Sequence, residues 1–185
     1  MDVNNKQEII VHGKLFEPYI SDVQINAQIN ELGAWLQTKF EETVPVFISI
    51  LNGSVFFAAD LIRAFKNECE ITFIKLESYQ GVSSSGTVSE VIGLNRSIEG
   101  RDVVVIEDII DSGLTIQKLL EILSLENPKS VTIITLLDKP SGRKVDVEIH
   151  RFGFKIEDKF VIGYGLDYDQ LGRNLPSIYK EKIRN

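Results

Sequence analysis

Two apolar runs of strand length enclose one amphipathic helix in the middle of the chain, and this arrangement limits the possible folds more than any other feature. The runs are VVVI at residues 103–106 and SVTIITLL at residues 130–137. Apolar side chains at i, i+3, i+4 and i+7 indicate the helix, namely Ile116, Leu119, Leu120 and Leu123. Because a strand–helix–strand unit joins parallel strands by a right-handed crossover, the pattern predicts an α/β fold.

The rest of the chain extends this alternation. Ser21 or Asp22 is expected to cap a first amphipathic helix. Residues 46–51 form a short apolar strand that stops at the turn 52–54, before a second helical pattern. Further strands are expected at 71–76 and, near the end, at 159–165, followed by a polar tail.

Composition excludes several classes of protein. With 185 residues, 43% of them hydrophobic, and a net charge of −7, the chain fits one globular domain and lacks the basic character of a nucleic-acid-binding protein. No apolar run approaches the roughly 20 residues of a membrane span, and the first residues lack the order of a signal peptide, so we expect no membrane association and a cytoplasmic location. The single Cys69 and the distant His12 and His150 give no zinc-ligand spacing.

Polar residues follow three of the expected strands, where open parallel sheets bind their ligands. These segments are residues 52–54, 107–115 and 138–139. Neither the GxxxxGK[ST] motif of a P-loop nor a complete GxGxxG motif is present. The strand ends therefore predict a ligand site that uses neither of the two common nucleotide motifs.

The segment EDIIDSGLT, residues 107–115, combines adjacent acids with a helix start. Residues 111–115 can cradle a phosphate with backbone N–H groups and two hydroxyls. Glu107 and Asp108 repel each other and have no Lys or Arg nearby in sequence, so Mg²⁺ or vicinal sugar hydroxyls are their natural partners. A phosphorylated sugar meets both requirements. The alternative is that the acids simply cap the helix and face water.

Four further segments occur with EDIIDSGLT: LNGS at 51–54, ESY at 77–79, LLDKPSGR at 136–143 and DKFVIGYGLDY at 158–168. Together they resemble the type I phosphoribosyltransferases, and within them the bacterial branch of the hypoxanthine or hypoxanthine-guanine phosphoribosyltransferases. The resemblance extends over residues 20–179. It implies a single domain, 1–185, with a mainly parallel sheet flanked by helices, a small purine-binding hood to which 137–185 contributes, and a flexible lid loop that contains Ser78 and Tyr79.

The resemblance also implies roles for the central segment. Glu107 and Asp108 would hold the ribose hydroxyls of phosphoribosyl pyrophosphate and Mg²⁺. Asp111 would be the general base beside N7 of the purine and, with Ser112, Gly113, Leu114 and Thr115, would bind the 5-phosphate.

Two other segments would bind the remaining parts of the substrates. Pyrophosphate would be bound at Leu51, Asn52, Gly53 and Arg173, and in this family the peptide that corresponds to Leu51-Asn52 is often cis. Considered alone, Gly53 could serve only the sterics of the turn, and Arg173 could be a solvated surface residue. The purine would be bound at Lys139, Phe160, Val161 and Asp167. Lys139 would donate to the 6-oxygen, Phe160 would stack, and Asp167 would reach a second Mg²⁺ or the guanine amine.

The function implied is purine salvage: the phosphoribosyl group is transferred to hypoxanthine, and to guanine, by a homodimer or homotetramer. Two alternatives stay open, a xanthine-type phosphoribosyltransferase and a non-catalytic regulator that senses the sugar phosphate and binds nucleic acid. Many relatives carry a basic residue where Leu114 stands, and some carry one where Asn52 stands. Backbone N–H groups and Mg²⁺ should therefore provide more of the phosphate binding here.

Overall fold

The computed structural model describes residues 7–78, 88–94 and 96–183 of the chain. Its strands are β1 (Ile9–Val11), β2 (Lys14–Ile20), β3 (Val46–Ile50), β4 (Glu70–Ser78), β5 (Val88–Ile92), β6 (Asp102–Ile110), β7 (Ser130–Asp138), β8 (Arg151–Lys155), β9 (Val161–Ile162) and β10 (Ile178–Glu181). Its helices are α1 (Asp22–Lys39), α2 (Val55–Ala64) and α3 (Leu114–Leu125), and a 3₁₀ turn spans Pro140–Gly142.

The main sheet has the strand order β5-β4-β3-β6-β7-β8. Its five strands from β4 to β8 are parallel, and β5 pairs antiparallel to β4 at one edge. The predicted α/β fold with a parallel sheet is therefore confirmed. After β3 the chain turns toward β4, and after β6 it turns the other way toward β7, so the topology switches direction between β3 and β6. Such a switch point opens a crevice at the carboxyl ends of the two strands.

Helices cover both faces of the main sheet because its strands are apolar on both sides. α1 and α2 pack together over Phe47 and Val104, whereas α3 packs over Ile48 and Val105. The expected cap of α1 is Ser21, which forms a capping box with Gln24. No helix in the described ranges is long and apolar enough to span a membrane.

Strand β6 is longer than its apolar run indicates. The sequence predicts a strand over 103–106, but the observed strand continues to Ile110, paired with β7 up to Ile110 opposite Asp138. Glu107 and Asp108 are therefore strand residues, and both are buried. The strand continues beyond the apolar run because the backbone hydrogen bonds between strands do not depend on side-chain polarity.

A second, antiparallel sheet with the order β1-β2-β10-β9 draws its strands from both ends of the chain. The predicted last strand over 159–165 is wrong in extent, since β9 contains two residues and the backbone at Gly163, Tyr164 and Gly165 then has positive φ, which ends an extended strand. The expected polar tail is also corrected, because β10 lies within it and buries Ile178 and Tyr179.

The Ser/Gly-rich stretch 78–88, which was expected to form the lid, has a strand residue at each of its ends. Ser78 ends β4 and Val88 begins β5, and these two residues are opposite each other in an antiparallel ladder. The pairing needs only backbone groups, so the small polar side chains of the stretch gave no sign of it. Tyr79 and the rest of the expected lid, 79–87, lie outside the described residues.

Candidate active site

The switch point between β3 and β6 brings the predicted site residues to one edge of the main sheet. The turn at residues 51–54 follows β3, the segment 111–113 follows β6, and Lys139 follows β7. Between β6 and α3 lies a small cavity of about 80 Å³, lined by Glu107, Ile109, Ile110, Asp111, Ser112, Gly113, Thr115 and Ile116. A larger depression of about 400 Å³ lies elsewhere, beside Ala34 and Asn67, and the charged residue that lines it, Glu41, is exposed.

The segment before α3 has the geometry of an anion cradle. Gly113 adopts the left-handed conformation with φ of 83°, and no side chain caps the start of the helix. Ser112 Oγ accepts from the Leu114 N–H at a long 3.4 Å, and its carbonyl accepts from Lys144 N at 2.9 Å. The first turn of α3 therefore keeps N–H groups for a ligand, as expected for a phosphate site.

Asp111 leads into this cradle and has two differently placed carboxylate oxygens. Oδ2 accepts from the Lys139 ammonium at 3.2 Å. Oδ1 is buried without a hydrogen-bond partner and lies against Gly142, where an added Cβ would approach it to 1.5 Å. Gly142 thus leaves room for the carboxylate, and Oδ1 is a buried acceptor without a hydrogen-bond partner among the described residues.

Lys139 is held by a second acid as well. Its Nζ lies 2.9 Å from Asp158 Oδ1, and its side chain is 12% exposed. Burial lowers the pKa of the Lys139 ammonium, but the hydrogen bonds and charges of Asp158 and Asp111 outweigh burial and raise this pKa above its usual value. Lys139 therefore stays cationic at the site, with donors only.

Glu107 and Asp108 form a buried pair of acids. Burial raises the pKa of Glu107 well above its usual range, and the neighbouring Asp108 raises it further. Burial also raises the pKa of Asp108, although the Ile109 N–H, at 2.9 Å from Oδ1, works against that rise. Glu107 Oε2 is buried without a partner. The alternative in which these acids face water is therefore wrong.

The turn after β3 packs directly on this acid pair. An added Cβ at Gly53 would lie 1.6 Å from Asp108 Oδ2, and one at Gly165 would lie 1.9 Å from the Gly53 carbonyl oxygen. The Leu51-Asn52 peptide bond is cis, as expected from the resemblance. Gly53 lets its turn approach the Asp108 carboxylate, and Gly165 lets a second backbone segment approach that turn, so Gly53 does more than ease its own turn.

Arg173 lies beside Gly165, which packs on the turn after β3, and is not a solvated surface residue. Its guanidinium donates to the Gly165 carbonyl at 2.8 Å and pairs with Asp167 Oδ1 at 2.8 Å. The Arg173 charge also counteracts the rise in the pKa of Asp108. Asp167 Oδ2 accepts from the Gln170 N–H at 2.8 Å. Arg173 and Asp167 are therefore close to Gly53 and Asp108.

Phe160 and Val161 form a separate group on the second sheet. Phe160 is 42% exposed and meets Tyr168 edge to face, with the ring centroids 5.4 Å apart. Lys14 Nζ lies 5.6 Å from the Phe160 ring centroid. Val161 is buried in β9. Phe160 thus offers an aromatic face near the loop that carries Asp158.

Four residues of the site were not predicted from the sequence as functional: Gly142, Arg143, Asp158 and Gly165. Each lies within a segment that carried the family resemblance, but no spacing rule distinguishes it from its neighbours. Arg143 pairs with Asp138, and its Nη1 is buried without a partner. For Gly142, Asp158 and Gly165 the signal is tertiary, because each contacts a residue distant in sequence, namely Asp111, Lys139 and Gly53.

The donor set of the site fits a hard divalent cation. Carboxylate oxygens are the ligands that Mg²⁺ prefers, and Glu107 Oε2 has no other partner. Within the part of the chain that the structure describes, no group of three or more His, Cys, Asp or Glu side chains could hold a metal ion. An ion here would therefore need oxygens from a substrate and water, which is how Mg²⁺ commonly binds with phosphates.

Comparison with protein families identifies what the chain resembles. The sequence profile of the phosphoribosyl transferase domain matches residues 21–169. The hypoxanthine-guanine phosphoribosyltransferase of Bacillus subtilis is 46% identical over 160 residues, which cover 86% of this chain and 89% of that protein. The hypoxanthine phosphoribosyltransferase of Escherichia coli K12 is 44% identical over 167 residues, 89% of this chain and 94% of that protein.

Solved structures agree with these relatives. A hypoxanthine phosphoribosyltransferase from Staphylococcus aureus superposes with a TM-score of 0.86 at 40% identity and covers 95% of this chain and 98% of its own. A hypoxanthine-guanine phosphoribosyltransferase from Bacillus anthracis, crystallised with a HEPES molecule in its active site, has a TM-score of 0.84 at 40% identity. The match covers 90% of this chain and 97% of that chain.

Proposed function

The chain belongs to the phosphoribosyltransferase family, in its hypoxanthine and hypoxanthine-guanine branch, and we propose that it transfers the 5-phosphoribosyl group of phosphoribosyl pyrophosphate to hypoxanthine and guanine in purine salvage. The products are IMP or GMP and pyrophosphate. The observation that carries the proposal is the position of Asp111, which leads into the anion cradle and whose Oδ2 accepts from the Lys139 ammonium.

The phosphoribosyl part of the substrate is assigned to the end of β6 and the start of α3. Ser112, Gly113, Leu114 and Thr115 receive the 5-phosphate through N–H groups and hydroxyls, aided by the helix dipole at roughly 0.3 to 1 kcal/mol. The ribose hydroxyls donate to Glu107 and Asp108, whose burial leaves them in need of such partners.

The leaving pyrophosphate is assigned to the turn at Leu51, Asn52 and Gly53, with Arg173 as the cationic contact. Asn52 brings no charge to this turn, so backbone groups and Arg173 have to stabilise the pyrophosphate as it departs. Arg173 is already within the network of Gly165 and Asp167, which limits the entropy it loses on binding.

The chemical step is displacement at C1 of the ribose. The bond from C1 to a pyrophosphate oxygen breaks, N9 of the purine bonds to C1, and the N7 proton passes to the Asp111 carboxylate. Correctly placed general bases supply about 10² to 10⁴-fold in rate. Asp111 is therefore both the proton acceptor and the first residue of the phosphate cradle.

The purine is assigned to Lys139, Phe160, Val161 and Asp167, with 137–185 contributing to a hood over the base. Lys139 donates to the 6-oxygen, and Phe160 stacks on the ring. An amino group at position 6, as in adenine, leaves the ammonium without an acceptor, which selects 6-oxopurines. The backbone at Val161 reads the ring edge, and Asp167 serves the guanine amine or a second metal ion.

Mg²⁺ fits the acids Glu107 and Asp108, and Asp167 for a second ion. When bound, Mg²⁺ supplies charge neutralisation for the pyrophosphate and the acids. The side chains themselves orient the ribose and exclude water from the acid pair. With Leu114 and Asn52 both uncharged, the chain depends strongly on the metal ion for phosphate binding.

Three further parts of the proposal rest on the family. Ser78 and Tyr79 belong to a lid that closes over the reacting centre and keeps water from C1. The enzyme acts as a homodimer or homotetramer in the cytoplasm. It binds neither nucleic acid nor membrane, in keeping with its net charge of −7.

The decisive experiment is steady-state turnover with phosphoribosyl pyrophosphate and Mg²⁺, in which hypoxanthine, guanine, xanthine, adenine and uracil are offered separately and nucleotide formation is measured. We expect turnover of hypoxanthine and guanine, with adenine and uracil inert. Preference for xanthine would move the chain to the xanthine-type enzymes. Binding of the sugar phosphate without turnover of any base would move it to the regulators.

A further inference from the structure

The Lys139 ammonium lies between two carboxylates that belong to different parts of the fold. Asp111, in the turn after β6, is 3.2 Å from Nζ, and Asp158, in the loop between β8 and β9, is 2.9 Å from it. The Lys139 side chain is 12% exposed, whereas that of Asp158 is 73% exposed. The neighbouring Asp138 pairs with Arg143 instead. Among the described residues, Asp111 and Asp158 are thus the acids that form ion pairs with Lys139.

The proposed reaction makes one of these two partners temporary. When Asp111 accepts the N7 proton of the purine, it becomes neutral and no longer balances the Lys139 charge. A largely buried ammonium without a counter-ion is costly, and it would turn toward whatever acceptor or water it could reach. A second carboxylate that takes no proton removes this difficulty.

We propose that Asp158 is a positioning residue, which holds the Lys139 ammonium toward the 6-oxygen of the purine while Asp111 exchanges its proton with the base. The inference rests on the proposed function. The carboxylate of Asp158 is separate from the phosphate cradle and from the Glu107 and Asp108 pair, so its role concerns the base and not the sugar phosphate. Its exposure means that losing its charge should leave the packing intact.

The charges around Lys139 support this assignment. Burial alone would lower the pKa of the ammonium, and the hydrogen bonds of Asp158 and then Asp111 reverse the direction. Without Asp158, the ammonium should lose its proton at a lower pH, because its other ion-pair partner among the described residues, Asp111, is the acid that is neutralised in the reaction.

The kinetic test compares Asp158→Asn with Glu157→Gln, a matched loss of one exposed negative charge from the adjacent residue. We expect Asp158→Asn to raise KM for hypoxanthine about threefold to tenfold and to leave KM for phosphoribosyl pyrophosphate within about twofold. Asp158→Glu should recover part of the loss. Equal behaviour of Asp158→Asn and Glu157→Gln, or equal changes in both KM values, would overturn the proposal.

Titration of Lys139 by NMR with labelled lysine requires no turnover and separates this inference from the proposed function. Asp111→Asn imitates the state after proton transfer, and in that variant Lys139 should stay charged at higher pH than in the Asp111→Asn/Asp158→Asn double variant. Identical titrations would show that Asp158 does not hold the charge. An inactive wild-type protein with different titrations would refute the proposed function while confirming that Asp158 is a counter-ion of Lys139.

Discussion

At the scale of single residues, the two oxygens of Asp111 have different surroundings. Oδ2 accepts from Lys139, and Oδ1 is buried without a hydrogen-bond partner. Asp111→Asn keeps the shape and removes the proton acceptor, so kcat should fall by about 10² to 10⁴-fold with KM for both substrates nearly unchanged. Steady-state kinetics at neutral pH measures this effect. A loss of less than about threefold would exclude Asp111 as the general base.

The buried acid Glu107 is expected to destabilise the ligand-free protein. Because burial raises its pKa above the unfolded value, Glu107 lowers the stability of the free protein progressively as pH rises above about 4.3. In metal-free, ligand-free protein, Glu107→Gln should therefore raise the free energy of unfolding at pH 7, on the order of 1 kcal/mol, and abolish this pH dependence. Denaturant unfolding at pH 5 and pH 7 measures both effects.

Asp102, which lies on β6 like Glu107, is the matched control, because its pKa is shifted in the opposite direction. The Ser130 hydroxyl at 2.6 Å, followed by Lys129, lowers the pKa of Asp102. Its stabilising effect is present above pH about 4 and is lost as pH falls through the lowered pKa. Asp102→Asn should thus destabilise the protein at pH 7. If both variants shift stability in the same direction, the charge argument for Glu107 is wrong.

At the scale of elements, the turn after β9 and the turn after β3 depend on each other. Gly165 has φ of 102°, and a Cβ there would lie 1.9 Å from the Gly53 carbonyl oxygen, which is backbone and cannot simply rotate away. Gly165→Ala should displace the turn at 51–54 and lower kcat/KM for phosphoribosyl pyrophosphate by about tenfold or more. Kinetics with saturating hypoxanthine measures this loss.

Gly100→Ala is the control for Gly165→Ala. Gly100 also has positive φ, 67°, but a Cβ there would meet nothing within 4 Å. It should lose about 1 to 2 kcal/mol of stability from backbone strain alone and keep its kinetic constants. Equal kinetic losses in the two variants would mean that strain, and not the contact between the turns, determines the effect.

Elements differ in how far the sequence could predict them. The capping box of α1 and the apolar face of α3 are local, and the sequence predicted both helices because helix periodicity is contained in a few turns. The hairpin of β4 with β5, and β10 within the expected polar tail, depend on pairing with strands elsewhere. Such pairing leaves weak local signals in short strands.

At the scale of the whole molecule, binding of metal and substrate should be coupled. Asp108 raises the pKa of the buried Glu107, so a cation or hydroxyl donors should relieve the repulsion between these acids, and the proposed phosphate sites contain few side-chain charges. Phosphoribosyl pyrophosphate with Mg²⁺, at about 100 times its Kd, should raise Tm by about 5 to 10 °C. Either component alone should give a much smaller shift in thermal unfolding.

Removal of the metal ion tests the same coupling in turnover. Excess chelator should abolish nucleotide formation, and added Mg²⁺ should restore it. Turnover that persists in chelator would contradict the assignment of Glu107 and Asp108 as acids that need a cation. It would leave Asp111 and Lys139 unaffected, because neither is assigned to the metal.

The sequence by itself determined the α/β class, the order of the central elements and the segments that meet the ligand, because periodicity and strand-end chemistry are local properties. Only the tertiary structure decided that the Arg173 charge acts on Asp108 and that Glu107 Oε2 is buried without a hydrogen-bond partner. It also decided that Asp158 and Asp111 both pair with Lys139. These relations depend on distances between segments that lie far apart in the chain. They arise at the carboxyl edge of the main sheet, where the segments that follow neighbouring parallel strands come together.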